Sequence, residues 1–402
     1  MELLPSNLIP QTPVSRHYRT RIAGRPLDSR SLPNFTARLV SFRPLYGHHP
    51  LRQRLTAAAS DGRLPASLLF QGRRGVGKQR LGLWLGQFLL CDRATTEGLR
   101  EPCGACQHCR YAERGVHPDL HWFFPRPRLK DGDASTDDVK ADVAEAVAER
   151  MGDEGLWSPP PGTEGLYVAT VRALVHMASL RPAMARRAVF VVGDAERMVS
   201  QEGADQAANA FLKLLEEPPN GTTLLLTTSE PGALLPTIKS RVVSVRVPPL
   251  TPADMDAFLS DAVVERKFAR TPREELLARA NGAPGALLAG DSMSAAFTAA
   301  RRILEAALAP NTPDGTAERI KAAAKQGVAG ARGSFSDTLD ALTLLLHARA
   351  KQLTLSGHDV DARRTASTLL FVENAKTKAQ GNVSPQLLMA SLLTSLHQTL
   401  NP

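Results

Sequence analysis

Residues 209–219 read Asn209-Ala210-Phe211-Leu212-Lys213-Leu214-Leu215-Glu216-Glu217-Pro218-Pro219. Together with the residues just upstream, the run places Ala207, Phe211, Leu214 and Leu215 on one face, which predicts a helix over 204–217. Pro218 and Pro219 stop it, because proline has no N–H for a further turn and disfavours helix in the residue before it. A packing helix ended by prolines occurs in many folds. Its neighbours give this one its meaning: a hydrophobic strand before it, then a strand ending in paired threonines and the dipeptide Ser240-Arg241.

From Leu45 onward, short apolar runs alternate with helical stretches, the mark of a parallel sheet flanked by helices. Strands are predicted at 67–71, 120–124, 188–192, 223–228 and 242–247. Residues 125–165, rich in Pro, Gly and Asp, read as a surface insertion with one helix over 139–151. Pro248-Pro249 closes the sheet region. Thr251 and Pro252 then suit the cap and first position of a helix that opens a small helical segment reaching about residue 290. Beyond it only helical patterns remain. Leu339, Leu342, Leu346, Ala350 and Leu353 share a face, Ser384-Pro385 opens a last helix through Leu396, and 310–315 and 327–333 read as loops. The expected organisation is an arm at 1–40, a sheet domain at 41–248, a small helical domain at 249–290 and a second helical domain at 291–402.

At 402 residues the chain exceeds one ordinary core, so two or three domains are expected, and 43% apolar content fits a globular protein. No apolar run approaches the length of a membrane span, and residues 1–30 lack the apolar core of a secretory peptide. The 1–40 arm is arginine-rich, a composition shared by organellar transit peptides, disordered basic arms and over-extended starts. A net charge of +9 permits contact with a polyanion. Only four Tyr and three Trp argue against a stacking platform for single strands.

Gly72-Arg73-Arg74-Gly75-Val76-Gly77-Lys78-Gln79 follows the first predicted strand and opens a helix. That is the setting of a phosphate-binding loop, in which Gly72, Gly75 and Gly77 let backbone N–H groups face phosphates and Lys78 neutralises them. The last position departs from the pattern. A hydroxyl there would ligate Mg²⁺, whereas Gln79 offers a bulkier amide. The third strand should end in an acidic pair but reads Gly193-Asp194-Ala195-Glu196. In the favoured register Gly193 stands where the metal-binding carboxylate belongs and Asp194 where the catalytic acid belongs; a slip of one would make Asp194 the metal ligand. Thr228, with Thr227, ends the fourth strand where a polar sensor of the γ-phosphate would sit. Gly285 occupies the place of a sensor arginine. These departures predict little or no ATP hydrolysis by the chain itself, while intact Lys78 leaves nucleotide binding open.

Arg241 precedes the fifth strand on the outer rim of the sheet, where an arginine can reach a neighbouring molecule's γ-phosphate. By residue type alone it is a solvated surface side chain; its position relative to the Glu-Glu-Pro-Pro run favours a finger acting in trans. All four cysteines, Cys91, Cys103, Cys106 and Cys109, fall in one short segment, a spacing suited to a closed tetrahedral zinc site. Cys91 ends an apolar helix, so His108 or His117 stands as an alternative fourth ligand.

These motifs, with His117-Pro118-Asp119 and Gly282–Leu287, resemble the AAA+ clamp-loader family of bacterial DNA polymerase III. The delta-prime kind is the nearer match and the tau/gamma kind a near relative. The resemblance covers roughly residues 45–290, and beyond 290 only the helical pattern supports it. It implies a RecA-like parallel α/β sheet of P-loop type, a zinc module at 91–109, a small helical lid and a C-terminal all-α collar. It also implies a cytoplasmic subunit of a DNA-directed DNA polymerase holoenzyme, a nucleotidyltransferase. Its partners would be tau/gamma and delta subunits, the sliding clamp and primer-template DNA, with no membrane. Such a subunit acts as a stator and lends Arg241 to its neighbour. Where the family carries Ser-Arg-Cys, this chain has Val242 in the third place. An ATP-hydrolysing tau/gamma-type subunit is the alternative, favoured by Lys78 and disfavoured by Gln79, Gly193 and Gly285. A zinc-dependent nucleic-acid-binding protein would need basic residues around the cysteines, and only Arg110 and Arg114 qualify.

Overall fold

The computed structural model describes residues 41–129, 134–152, 155–156, 165–198, 205–288, 290–328, 334–379 and 384–401. The arm expected at 1–40, parts of the expected insertion and residues 329–333 of the loop expected at 327–333 lie outside them; residues 327 and 328 of that loop end a helix instead.

Five strands form one sheet: β1 (Ser67–Gln71), β2 (Leu120–Phe123), β3 (Ala188–Val192), β4 (Thr222–Thr228) and β5 (Val243–Arg246). Their order is β2-β3-β4-β1-β5 and every pairing is parallel. The central strands read Ala-Val-Phe-Val-Val and Thr-Thr-Leu-Leu-Leu-Thr-Thr because a parallel sheet covered on both faces needs apolar side chains on both. Leu68, Phe70, Val189, Val191 and Leu225 face the helix Lys78–Leu90, burying Leu81, Leu85 and Phe88. On the other face Leu69, Phe190, Val192, Leu224 and Leu226 meet the helices Val168–Ala178 and Asp205–Glu216 through Leu174, Phe211 and Leu215.

Among the described residues, buried side chains of 250–287 share the core of the sheet region. Met255, Phe258, Val264, Leu276 and Leu287 join the same buried cluster as Leu51, Val76 and Leu81. Thr251 caps the helix Pro252–Leu259 in a reciprocal pair with Asp254, whose N–H donates to the Thr251 hydroxyl at 3.2 Å. The C-terminal helices have their own core, built on Ile303, Leu339, Leu342, Leu346, Val372, Leu393 and Leu396. Here one expectation fails. The stretch 310–315 is not all loop, because the helix Pro313–Val328 begins within it. Thr312 accepts the Gly315 N–H at 3.2 Å, and proline at the first helical position has no N–H to leave unpaired, so Thr-Pro is a start rather than a break.

The stretch 125–165 is more than surface. Its helix Thr136–Gly152 buries Val139, Ala146, Val147 and Met151, and Arg150 lies over the Trp122 and Phe124 rings, 4.7 and 3.1 Å from their centroids.

Candidate functional site

The loop after β1 has the backbone a phosphate site requires. Gly75 (φ +80°) and Gly77 (φ +98°) adopt a left-handed conformation that side chains disfavour, turning the chain into the helix at Lys78. The Gly72 N–H donates to Thr228 O of the adjacent strand at 3.2 Å. Lys78 is 5% exposed, and its ammonium donates to Gly72 O (2.8 Å), Arg73 O (2.9 Å) and Ser229 Oγ (2.8 Å). Burial pulls its pKa below that of an ordinary lysine, and the Asp194 and Glu196 charges oppose that shift.

The metal half of the site is built differently. Gln79 Nε2 donates to Asp194 Oδ2 at 3.2 Å, and Trp122 Nε1 donates to Gln79 Oε1 at 3.0 Å. Gly193 lies against that amide: a Cβ on residue 193 would sit 2.5 Å from Gln79 Cδ. Gly193 therefore faces residue 79, and Asp194, the next residue, meets the same amide through its carboxylate. Mg²⁺ takes a near-octahedral shell of oxygen ligands, and the hydroxyl and carboxylate that would begin one are replaced here by an amide and by no side chain. The residues present do not fit the metal.

Two residues of this site were not picked out from the sequence. Ser229 directly follows the threonine pair and holds Lys78. Glu196 accepts the Ser229 N–H through Oε1 at 2.9 Å, while its Oε2 is buried with no partner among the described residues. Burial first, and the Asp194 charge second, raise the Glu196 carboxyl to about 7, against the pull of the Ser229 N–H and Lys78. The only signal for Glu196 was its place two residues after Asp194. Thr228 meets the loop through its carbonyl; its hydroxyl accepts the Glu230 N–H at 3.1 Å, and Thr227 is the residue whose hydroxyl accepts the Asp194 N–H at 3.0 Å.

Residues 281 and 285 lie against the loop. The Gly285 N–H donates to Gly75 O at 2.8 Å, and Arg73 donates to Asn281 O at 3.0 Å. A Cβ on residue 285 would fall 2.7 Å from Gly75 Cα, so the place expected for a sensor arginine has no room for a side chain. Arg241 lies away from this loop, with its side chain 28% exposed. Its Nε donates to Glu216 Oε1 at 2.6 Å and its Nη1 to Thr237 O at 2.9 Å.

The four cysteine sulfurs lie within 4.8 Å of one another. Cys103–Cys109 and Cys106–Cys91 sulfur separations are 3.9 and 4.0 Å, close to the roughly 3.8 Å edge of a tetrahedron with metal–sulfur bonds of about 2.3 Å. The N–H groups of Cys103, Cys106 and Cys109 point at the sulfurs of Cys91, Cys103 and Cys106, as suits thiolates. His108 and His117 instead hydrogen-bond each other at 2.8 Å, so Cys91 is the fourth member of the set and the set could hold a metal.

A family model described as DNA polymerase III, delta subunit, matches residues 47–251. The chain is 30% identical over 208 residues to the DNA polymerase III subunit delta' of Bacillus subtilis (strain 168), which covers 52% of this chain and 50% of that protein. It is 29% identical over 302 residues to the delta' subunit of Escherichia coli (strain K12), covering 75% and 76%. It is also 29% identical over 241 residues to the tau subunit of the same organism, covering 60% and 30%. The match thus spans about half the length of the Bacillus relative and three quarters of the Escherichia one. Among the described residues no helix is long and apolar enough to cross a membrane. With a P-loop sheet and a four-cysteine module inside the matched span, the chain belongs to the DNA polymerase III delta-subunit family and is of the delta' kind.

Proposed function

We propose that this chain is a cytoplasmic clamp-loader subunit of the delta-prime kind, a stator that organises the ring without hydrolysing ATP itself. It lends Arg241 to the nucleotide of an adjacent subunit. Tau/gamma and delta subunits are its neighbours, and through the ring it helps place a sliding clamp on primer-template DNA for the polymerase holoenzyme. The observation that carries this reading is the Gln79 amide lying against Gly193 where a hydrolytic site needs a metal and its carboxylate. An ATP-hydrolysing tau/gamma-type role is disfavoured for the same reason.

Arg241 suits the donor role because it is held at the rim by Glu216 and remains partly exposed. A guanidinium placed there supplies charge to a transferring phosphoryl group. The four cysteines would hold zinc, whose closed sulfur shell contributes folding energy and no chemistry. The test is DNA- and clamp-stimulated ATP hydrolysis by a reconstituted loader carrying Arg241→Ala in this chain alone. A fall of about 10-fold or more, the low side of what an arginine finger supplies, is expected with the ring still assembled. Unchanged turnover would reduce Arg241 to a surface residue and overturn the donor role.

A further inference from the structure

The departures at positions 79 and 193 depend on each other. A Cβ on residue 193 would lie 2.5 Å from Gln79 Cδ and 2.6 Å from both Gln79 Nε2 and Oε1. No side chain at 193 can coexist with Gln79 where it stands. The amide is fixed at both ends, its oxygen accepting from Trp122 and its nitrogen donating to Asp194. Asp194 is fixed in turn: it takes a left-handed backbone (φ 49°), and its N–H is held by Thr227. The amide thus does for Asp194 part of what a cation would do, giving the half-buried carboxylate a hydrogen-bond donor.

The phosphate half of the same site keeps its turn and its lysine. Gly75 and Gly77 keep the turn, Lys78 is held by three oxygens, and the 13-residue helix Lys78–Leu90 begins at the loop with its N-terminal amides and positive dipole end. A loop with its anion-binding parts in place and its metal-binding parts replaced is not simply a decayed hydrolytic site, because random decay would not fit an amide to a missing side chain.

We propose that Gln79 and Gly193 are a matched pair in which a neutral amide stands in for the metal, so that the loop binds the phosphates of a nucleoside polyphosphate without a divalent cation. The inference rests on the reading of this chain as a non-hydrolysing clamp-loader subunit and deepens it. With no divalent cation to add to the charge of Lys78 at the transferring group, the nucleotide stays intact and serves as a structural ligand between loop and lid.

The experiment titrates ATP into the full chain by calorimetry, with Mg²⁺ and in magnesium-free buffer lacking chelator, so that metal on the cysteines is undisturbed. The two dissociation constants should agree within about 2-fold, far from the 10-fold that corresponds to about 1.4 kcal/mol. Tightening by about 10-fold or more with Mg²⁺, or no binding at millimolar ATP in either buffer, overturns the proposal. A second arm compares Gly193→Asp with the pair Gln79→Thr plus Gly193→Asp by thermal unfolding. The single variant should lower Tm, and the pair should recover it and make ATP binding magnesium-dependent. A pair as unstable as the single variant overturns the matching. The Arg241→Ala assay on the assembled ring does not depend on this metal, so the stator role and the metal-free site can fail separately.

Discussion

Asp119 is the side chain whose removal should destabilise the sheet most. It is 2% exposed and sits just before β2. Its carboxylate accepts three backbone N–H groups from the loop leading to β3: Ala183 at 2.6 Å, Met184 at 2.8 Å and Ala185 at 2.6 Å. Its own carbonyl accepts the Val189 N–H at 2.8 Å, so the residue joins the start of two neighbouring strands. Hydrogen bonds to a charged group are worth about 1.5–3 kcal/mol each. Three sharing one carboxylate are not additive, and part of the loop can reach water on relaxing. About 3–5 kcal/mol for Asp119→Ala follows, the range for removing one partner of a buried charged set. With a urea dependence of about 3 kcal/mol per molar, the midpoint of the sheet-domain transition should fall by roughly 1–1.7 M. Asp119→Asn should lie between, because one amide oxygen can still accept while its NH₂ confronts donors. A midpoint for Asp119→Ala within about 0.3 M of the wild type, under about 1 kcal/mol, would refute the view that these three bonds hold the loop.

Glu216→Ala removes the carboxylate that holds Arg241. An exposed ion pair of this kind contributes about 0–1 kcal/mol, so stability should hardly change, while ring ATP hydrolysis should fall by less than with Arg241→Ala. Full retention of turnover would show that Glu216 does not align the finger. Cys91→Ser should lower bound metal from about one per chain toward zero and reduce Tm; retained metal would exclude Cys91 from the ligand set. The Glu196 carboxyl titrates near 7 in the folded chain against an ordinary 4.5, so between those values the folded state holds a proton that the unfolded state has lost. Stability therefore falls as pH rises through this window, and the penalty is complete above it. Glu196→Gln should gain stability relative to the wild type between about pH 5 and about pH 8, and a pH-independent difference in urea midpoints would contradict this.

The sequence alone was enough for most of the sheet and for the glycine turn that leads into the helix at Lys78. β1 and β3 lie where their apolar runs predict, Thr251 caps its helix and the helix ended by Pro218 stops at Glu216, because periodicity, capping and proline stops act within a few residues. The helix starting at Pro313 was missed because a Thr-Pro start and a Pro-Gly break share the same residue types. The cysteine spacing indicated a metal set but not its fourth member; the pairing of His108 with His117 decided that, and it depends on where β2 begins. The fit of Gln79 to Gly193, Ser229 on Lys78, the orphaned oxygen of Glu196, Gly285 on Gly75 and Glu216 on Arg241 were beyond any local pattern. The first two join residues more than a hundred positions apart, which meet because the strand order sets β3 beside β4 and β4 beside β1, bringing the ends of three strands to one loop, whereas Glu216 meets Arg241 away from that loop. Backbone preference is written residue by residue, whereas the void one side chain leaves for another exists only once the chain has packed.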